Sequence, residues 1–158
     1  MATVELREPI AVPPEHVYVF FVPQRMPYWY GVEMDSRFDM LLGCAADFSV
    51  GSAVRISGRV GNKAVSQTAT VTACEYGRLL EWSFQDEYGV RGKERWELER
   101  VPPAAAGGVT GTVVKFTSDY VIPGRFGRFV DWLVTRHAVA RRSREYLHRL
   151  ARLAEHRA

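Results

Sequence analysis

The sequence predicts an α+β fold, a curved antiparallel sheet wrapped around a long C-terminal helix. Three observations carry this. A strand-like run, Gly111-Thr112-Val113-Val114-Lys115-Phe116-Thr117-Ser118-Asp119-Tyr120, leads into Ile122-Pro123-Gly124. From Arg125 to the C-terminus the pattern is helical throughout, free of Pro and, past Gly127, free of Gly. Before that run, short segments alternate apolar and polar residues between turn signals, the mark of strands with one wet and one covered face. A sheet of that length has to curve, and the final helix is the one element long enough to fill its concave side.

The elements follow in order. Thr3 to Ile10 alternates, with Val4, Leu6 and Glu8 on one side and Glu5 and Arg7 on the other, and reads as a first strand. Val12-Pro13-Pro14-Glu15-His16-Val17 opens a helix, since proline suits a first turn whose N–H groups are unpaired anyway. Val17, Phe20 and Phe21 give it an apolar face, and Pro23 stops it. Met26 to Asp39 is aromatic-rich and irregular, with room for one short helix. Ser52 to Val60 places Val54, Ile56 and Val60 opposite Arg55 and Arg59, and Gly61-Asn62 is a tight hairpin signal. Lys63 to Tyr76 sets Val65, Ala69 and Val71 against Ser66, Thr68, Thr70 and Thr72. Arg78 to Gln85 brings Leu80, Trp82 and Phe84 together. Val90 to Arg100 brings Val90, Trp96 and Leu98 together. The low-complexity stretch Pro102 to Gly108 reads as a hairpin loop. The final helix, roughly Arg125 to His156, is near 48 Å long at about 1.5 Å per residue.

Length and composition narrow the class. The 158 residues suffice for one domain with a sizeable core, spanning 1–158. No apolar run approaches the roughly 20 residues that span a bilayer, so no transmembrane segment is expected. Glu5, Arg7 and Glu8 interrupt the N-terminus where a signal peptide needs an apolar stretch, and the expected location is the cytoplasm. Cys44 and Cys74 stand alone without a C-x-x-C spacing, as reduced thiols do. The net charge of +3 is uneven: Arg136 to Arg157 holds seven arginines against Glu145 and Glu155, a balance of +5 that leaves −2 for the rest. Such a helix is either a solvated outer face, its cations favoured by the helix dipole, or a contact for an acidic partner. Tyr146 alone interleaves with the arginines, so base stacking has no platform and no nucleic-acid partner is expected.

Five segments together resemble a known family. They are Ile10-Ala11-Val12-Pro13-Pro14-Glu15-His16-Val17-Tyr18-Val19-Phe20, Gly51-Ser52-Ala53-Val54-Arg55, Leu79-Leu80-Glu81-Trp82, Gly111-Thr112-Val113-Val114 and Tyr120-Val121-Ile122-Pro123-Gly124. In that order and spacing the chain resembles the START-like or Bet v 1-like superfamily, the SRPBCC group, and within it the polyketide cyclase/dehydrase-like bacterial branch. The resemblance covers nearly the whole chain. It implies a helix-grip fold: a seven-stranded antiparallel sheet around the last helix, with two short helices after the first strand. It implies no single function, since relatives bind lipids, hormones or polyketide intermediates and some catalyse cyclisation or dehydration. It carries no fixed catalytic motif onto this chain.

Strand parity then gives the inward face. The sheet contributes Trp82, Phe84, Val90, Trp96, Leu98, Val114, Phe116 and Tyr120, and the helix contributes Phe126, Phe129, Val130, Leu133 and Ala140. Such a lining suits a hydrophobic or planar ligand, and the same residues also suit a solid core. Gln67, Glu94 and Ser118 share the inward parity. His137 falls in the middle of the helix stripe set by Phe126, Val130 and Leu133. A buried carboxylate is costly unless paired or used. A Glu94–His137 pair across the cavity would suit acid–base chemistry or hydrogen bonding to a ligand, the alternative being a core histidine that bonds a backbone carbonyl. A bulge at Gly92 would reverse Glu94 and return it to solvent.

The expected ligand-binding set is Gln67, Trp82, Phe84, Trp96, Phe116, Ser118, Tyr120, Phe129, Leu133 and His137, with Glu94 and His137 as candidate catalytic residues. The histidines His16, His137, His148 and His156 show no metal-ligand spacing, and no cofactor is expected. Gly89-Val90-Arg91-Gly92-Lys93 has its glycines too close together for a phosphate loop. Met26-Pro27-Tyr28-Trp29-Tyr30 reads either as an aromatic lid or as packing under a loop. The leading expectation is a binder of a small hydrophobic, lipid- or polyketide-like ligand in an internal cavity. The alternatives are a cyclase or dehydratase using cavity acid–base residues, and an interaction module using the basic helix. Ligand identity and oligomeric state stay open at this point.

Overall fold

A computed structural model describes residues 2–103, 108–124 and 135–156 of the chain. Seven strands form one antiparallel sheet: β1 (Ala2–Ile10), β2 (Arg37–Leu42), β3 (Ala53–Val60), β4 (Lys63–Glu75), β5 (Leu79–Asp86), β6 (Arg91–Val101) and β7 (Gly111–Val121). Their order is β1-β7-β6-β5-β4-β3-β2. Among the described residues the sheet is accompanied by helices α1 (Pro14–Tyr18) and α2 (Arg136–His156), with 3-10 turns at Met26–Tyr28 and Val32–Met34. This is the expected α+β helix-grip architecture, and α2 packs chiefly against β1. Residues 125–134, where the expected helix begins, lie outside the described residues.

The alternation read from the sequence becomes the buried side of the sheet. On β7, Thr112, Val114, Phe116, Ser118 and Tyr120 are buried while their neighbours are half-buried. On β6 the buried set is Glu94, Trp96 and Leu98. Pairing of β6 with β5 and β7 runs without a register shift, so no bulge at Gly92 reverses Glu94. Gly92 is glycine for another reason. A Cβ there would lie 1.9 Å from the Asp119 carbonyl oxygen, so β6 and β7 approach closely only without a side chain.

Two local expectations are corrected. The first helix ends at Tyr18 rather than at Pro23. Beyond it the backbone tightens into i+3 turns, Phe20 N–H to Val17 O at 3.1 Å and Phe21 N–H to Tyr18 O at 2.9 Å, a form common at helix C-termini. The segment read as irregular up to Asp39 overlaps the start of the edge strand β2. Its register slips between Met40 and Leu42, which leaves Leu41 and Leu42 exposed and breaks the two-residue alternation that announces a strand.

Candidate functional site

Cross-strand register arranges the inward residues in rows. One row runs Val71–Trp82–Glu94–Ser118–Val4 across β4, β5, β6, β7 and β1. The row nearer α1 is Cys74–Leu80–Trp96–Phe116–Leu6, and the row on the other side is Ala69–Phe84–Gly92–Tyr120–Ala2. Glu94 thus sits between an aromatic core and the far end of the sheet.

Toward α1 the core is solid. Trp96 is 1% exposed and has Phe21, Trp29, Tyr30, Trp82 and Phe116 around it at ring-centroid distances of 4.9 to 6.0 Å. Most of these contacts are edge-to-face, the arrangement ring quadrupoles favour. Toward the other end, Phe38, Met40, Gln67 and Phe84 are half-buried.

The polar centre lies at the boundary. Glu94 is buried, and its Oε1 accepts from the Tyr30 hydroxyl at 2.7 Å and from Trp82 Nε1 at 3.0 Å. Gln67 Nε2 donates to the Tyr30 hydroxyl oxygen at 3.1 Å. Tyr30 is delivered by the segment between the 3-10 turns. Gly31 follows it in the left-handed region at φ 71°, and Ser36 Oγ donates to the Tyr30 carbonyl. A side chain at Gly31 would also collide with Ser36, its Cβ only 2.7 Å from that of Ser36. Tyr146 of α2 packs on Tyr30 at 5.1 Å and donates its hydroxyl to Glu33.

Burial is the main influence on Glu94 and pushes its carboxyl above the ordinary range. The hydrogen bonds from Tyr30 and Trp82 and the positive charge of Arg142 pull the other way without cancelling it. Burial raises the Tyr30 phenol well above its ordinary value. Tyr146 is raised by burial too.

The residues expected from the sequence divide accordingly. Gln67, Trp82 and Glu94 come together around Tyr30. Ser118 lies opposite Glu94 in the sheet, Phe84 and Tyr120 occupy the next row, and Trp96 and Phe116 belong to the packed core. Phe129 and Leu133 lie outside the described residues.

His137 is a correction: it is exposed at the start of α2, and the described partners of Glu94 are Tyr30 and Trp82. The physical reason is helical phase. The helix buries Ser143, Tyr146, Leu147, Leu150, Ala151 and Ala154. At about 100° per residue His137 lies roughly 110° from the centre of that stripe, on the solvent side. Tyr30 was missed as a site residue because it lies in an irregular segment with no parity to read. Its signal was the aromatic run Met26–Tyr30. That run packs inward at Met26, Trp29 and Tyr30, while Tyr28 is exposed.

Among the described residues no three His, Cys, Asp or Glu side chains converge as a metal site. None of the described helices is long and apolar enough to cross a membrane.

Comparison with known proteins places this geometry. The family described as "Polyketide cyclase / dehydrase and lipid transport" matches residues 1–155. The chain belongs to that family. No curated protein matches it. Solved structures share the polyketide cyclase/dehydrase-type fold at low identity. A crystal structure of a Mesorhizobium loti protein is 16% identical, with 98% of each chain covered and a TM-score of 0.71. The Bet v 1-like Ara h 8.0201 is 14% identical, with 97% of each chain covered and a TM-score of 0.66. DynU16, a protein in the dynemicin biosynthetic locus, is 19% identical with a TM-score of 0.65, covering 97% of this chain and 47% of that one. Membership in this family is consistent with binding a hydrophobic ligand.

Proposed function

We propose that this protein binds a small hydrophobic ligand, lipid- or polyketide-like, on the concave face of its sheet, with Glu94 and Tyr30 at the polar end of the site. The observation that carries this is a buried carboxyl, bonded by Tyr30 and Trp82, at the boundary between a solid aromatic core and the half-buried Phe38, Gln67 and Phe84. Burying a carboxyl opposes folding unless it is hydrogen-bonded or paired, and only Oε1 of Glu94 is bonded among the described residues. The family, whose description joins cyclase, dehydrase and lipid transport, supports the same reading. Cys44 and Cys74 are free thiols, which supports a cytoplasmic location.

Native mass spectrometry of protein purified from its own host tests the proposal. The expected result is a non-covalent adduct, extractable into organic solvent. An adduct-free protein that also shows no saturable binding of phenylnaphthylamine overturns it.

A second reading, proton transfer to or from a bound substrate, is favoured by one feature. Glu94 is shifted toward neutrality and hydrogen-bonded to a phenol, an arrangement able to hold or release a proton near a reacting carbonyl. Under this reading Glu94→Gln abolishes turnover of the co-purified compound while leaving its binding in place.

A further inference from the structure

We propose that the ligand is an uncharged, carbonyl-bearing apolar molecule, and that Glu94 holds it by donating a hydrogen bond from Oε2. This rests on the concave face being a binding site, and it adds the chemistry of the ligand.

The argument is one of direction. An indole N–H can only donate, so Trp82 Nε1 presents a proton to Glu94 Oε1. Gln67 Nε2 donates to the Tyr30 hydroxyl oxygen, and that hydroxyl sends its own proton to the same Oε1. Two donors converge on one carboxyl oxygen. In the neutral acid that oxygen is the carbonyl oxygen, and the acid proton resides on Oε2. Oε2 has no hydrogen-bond partner among the described residues. Tyr30, by contrast, is fully engaged as donor and acceptor. Within the Tyr30–Glu94–Trp82 network the donor left to meet a ligand is the Oε2–H of the neutral Glu94, and it matches a ligand that accepts.

The surroundings support a neutral Glu94. Burial pushes it toward the protonated form. Of the titratable groups facing it among the described residues, Tyr30 and Tyr146 are both held neutral by burial. Glu33 is bonded by Tyr146. Arg142 on α2 is the opposing influence, favouring the carboxylate, and it makes no ion pair with Glu94.

Three naphthalenes of nearly equal size separate the possibilities by calorimetric titration from acid to alkaline pH. They are acetylnaphthalene, ethylnaphthalene and naphthylethylamine. The ketone is expected to bind about tenfold more tightly than the hydrocarbon while Glu94 is protonated, the worth of one hydrogen bond. That advantage should disappear as pH rises through the titration of Glu94. Glu94→Gln is the decisive variant. Its amide oxygen takes the protons of Tyr30 and Trp82, and its NH2 stands where Oε2–H stood. The ketone preference should therefore survive in Glu94→Gln and become independent of pH.

Tightest binding of the amine, or loss of the ketone preference in Glu94→Gln, overturns the proposal. Equal affinity for ketone and hydrocarbon overturns it while leaving the hydrophobic binder intact. No binding of any of the three, with no co-purified molecule, removes both. A ligand-free measurement stands beside these. The infrared difference between the parent and Glu94→Gln should contain a protonated-carboxyl stretch that persists to pH above the ordinary glutamate range, and its absence there also overturns the proposal.

Discussion

Trp96 shows how strongly one side chain is fixed here. With five aromatic neighbours and 1% exposure, it has no void to relax into. Trp96→Ala is expected to cost about 3–5 kcal/mol in urea denaturation. Tyr30→Phe removes one of the two donors to Glu94 and the acceptor of Gln67, and should cost about 1–3 kcal/mol. It should also raise the pH at which Glu94 titrates, since a hydrogen bond favouring the charged form is lost. The sign for stability follows from the raised value of Glu94. Between its unfolded and folded titrations the native state holds the extra proton. Its contribution is thus full below the ordinary glutamate range and is lost as pH rises through the folded value. Denaturant titrations of the parent and Glu94→Gln across that window should show the parent losing stability relative to the variant as pH increases.

Regular strands were readable because their physics is local. Alternation in Gly111–Val121 and Arg91–Val101 fixes which side chains are buried, and burial follows that parity residue by residue. The edge strand β2 was hidden because its slip at Met40/Leu42 puts apolar residues in succession, and α1 was overdrawn because the turns after Tyr18 are also apolar. Between β6 and β7 the spacing depends on Gly92. Gly92→Ala would drive a methyl into the Asp119 carbonyl, and the strands must separate to admit it. A loss of about 3 kcal/mol or more in thermal or denaturant unfolding is expected, at or beyond the upper end of the usual overpacking cost. An unchanged melting temperature would show that the strands yield freely there.

For the molecule as a whole, fold and site differed in legibility. Fold class follows from element order and period, which the chain displays throughout. The site depends on how segments without a period are placed. The inward placement of Glu94, Gln67 and Trp82 was legible because they stand on strands with a fixed parity. Tyr30 was not, because it reaches Glu94 from an irregular loop across 64 residues of sequence. His137 was misplaced because the expected phase rested on Phe126, Val130 and Leu133, whereas the described helix buries Ser143, Tyr146, Leu147, Leu150, Ala151 and Ala154.

The strand order also governs how the chain assembles. Five of the six strand pairings join strands consecutive in sequence, whereas β1 pairs with β7, Ala2 opposite Tyr120. Closing that loop costs about 3 kcal/mol more chain entropy than closing the short hairpin between β3 and β4. The meander from β2 to β7 is therefore expected to form first. β1 then closes the seam late, together with α2, which rests on it. In stopped-flow experiments Val4→Ala should speed unfolding and leave the refolding rate nearly unchanged. Until the seam closes, β7 is an open sheet edge, and the β1 strand of a second molecule fits it as well as the chain's own. Refolding at high concentration should therefore yield strand-exchanged dimers, and refolding at low concentration monomers.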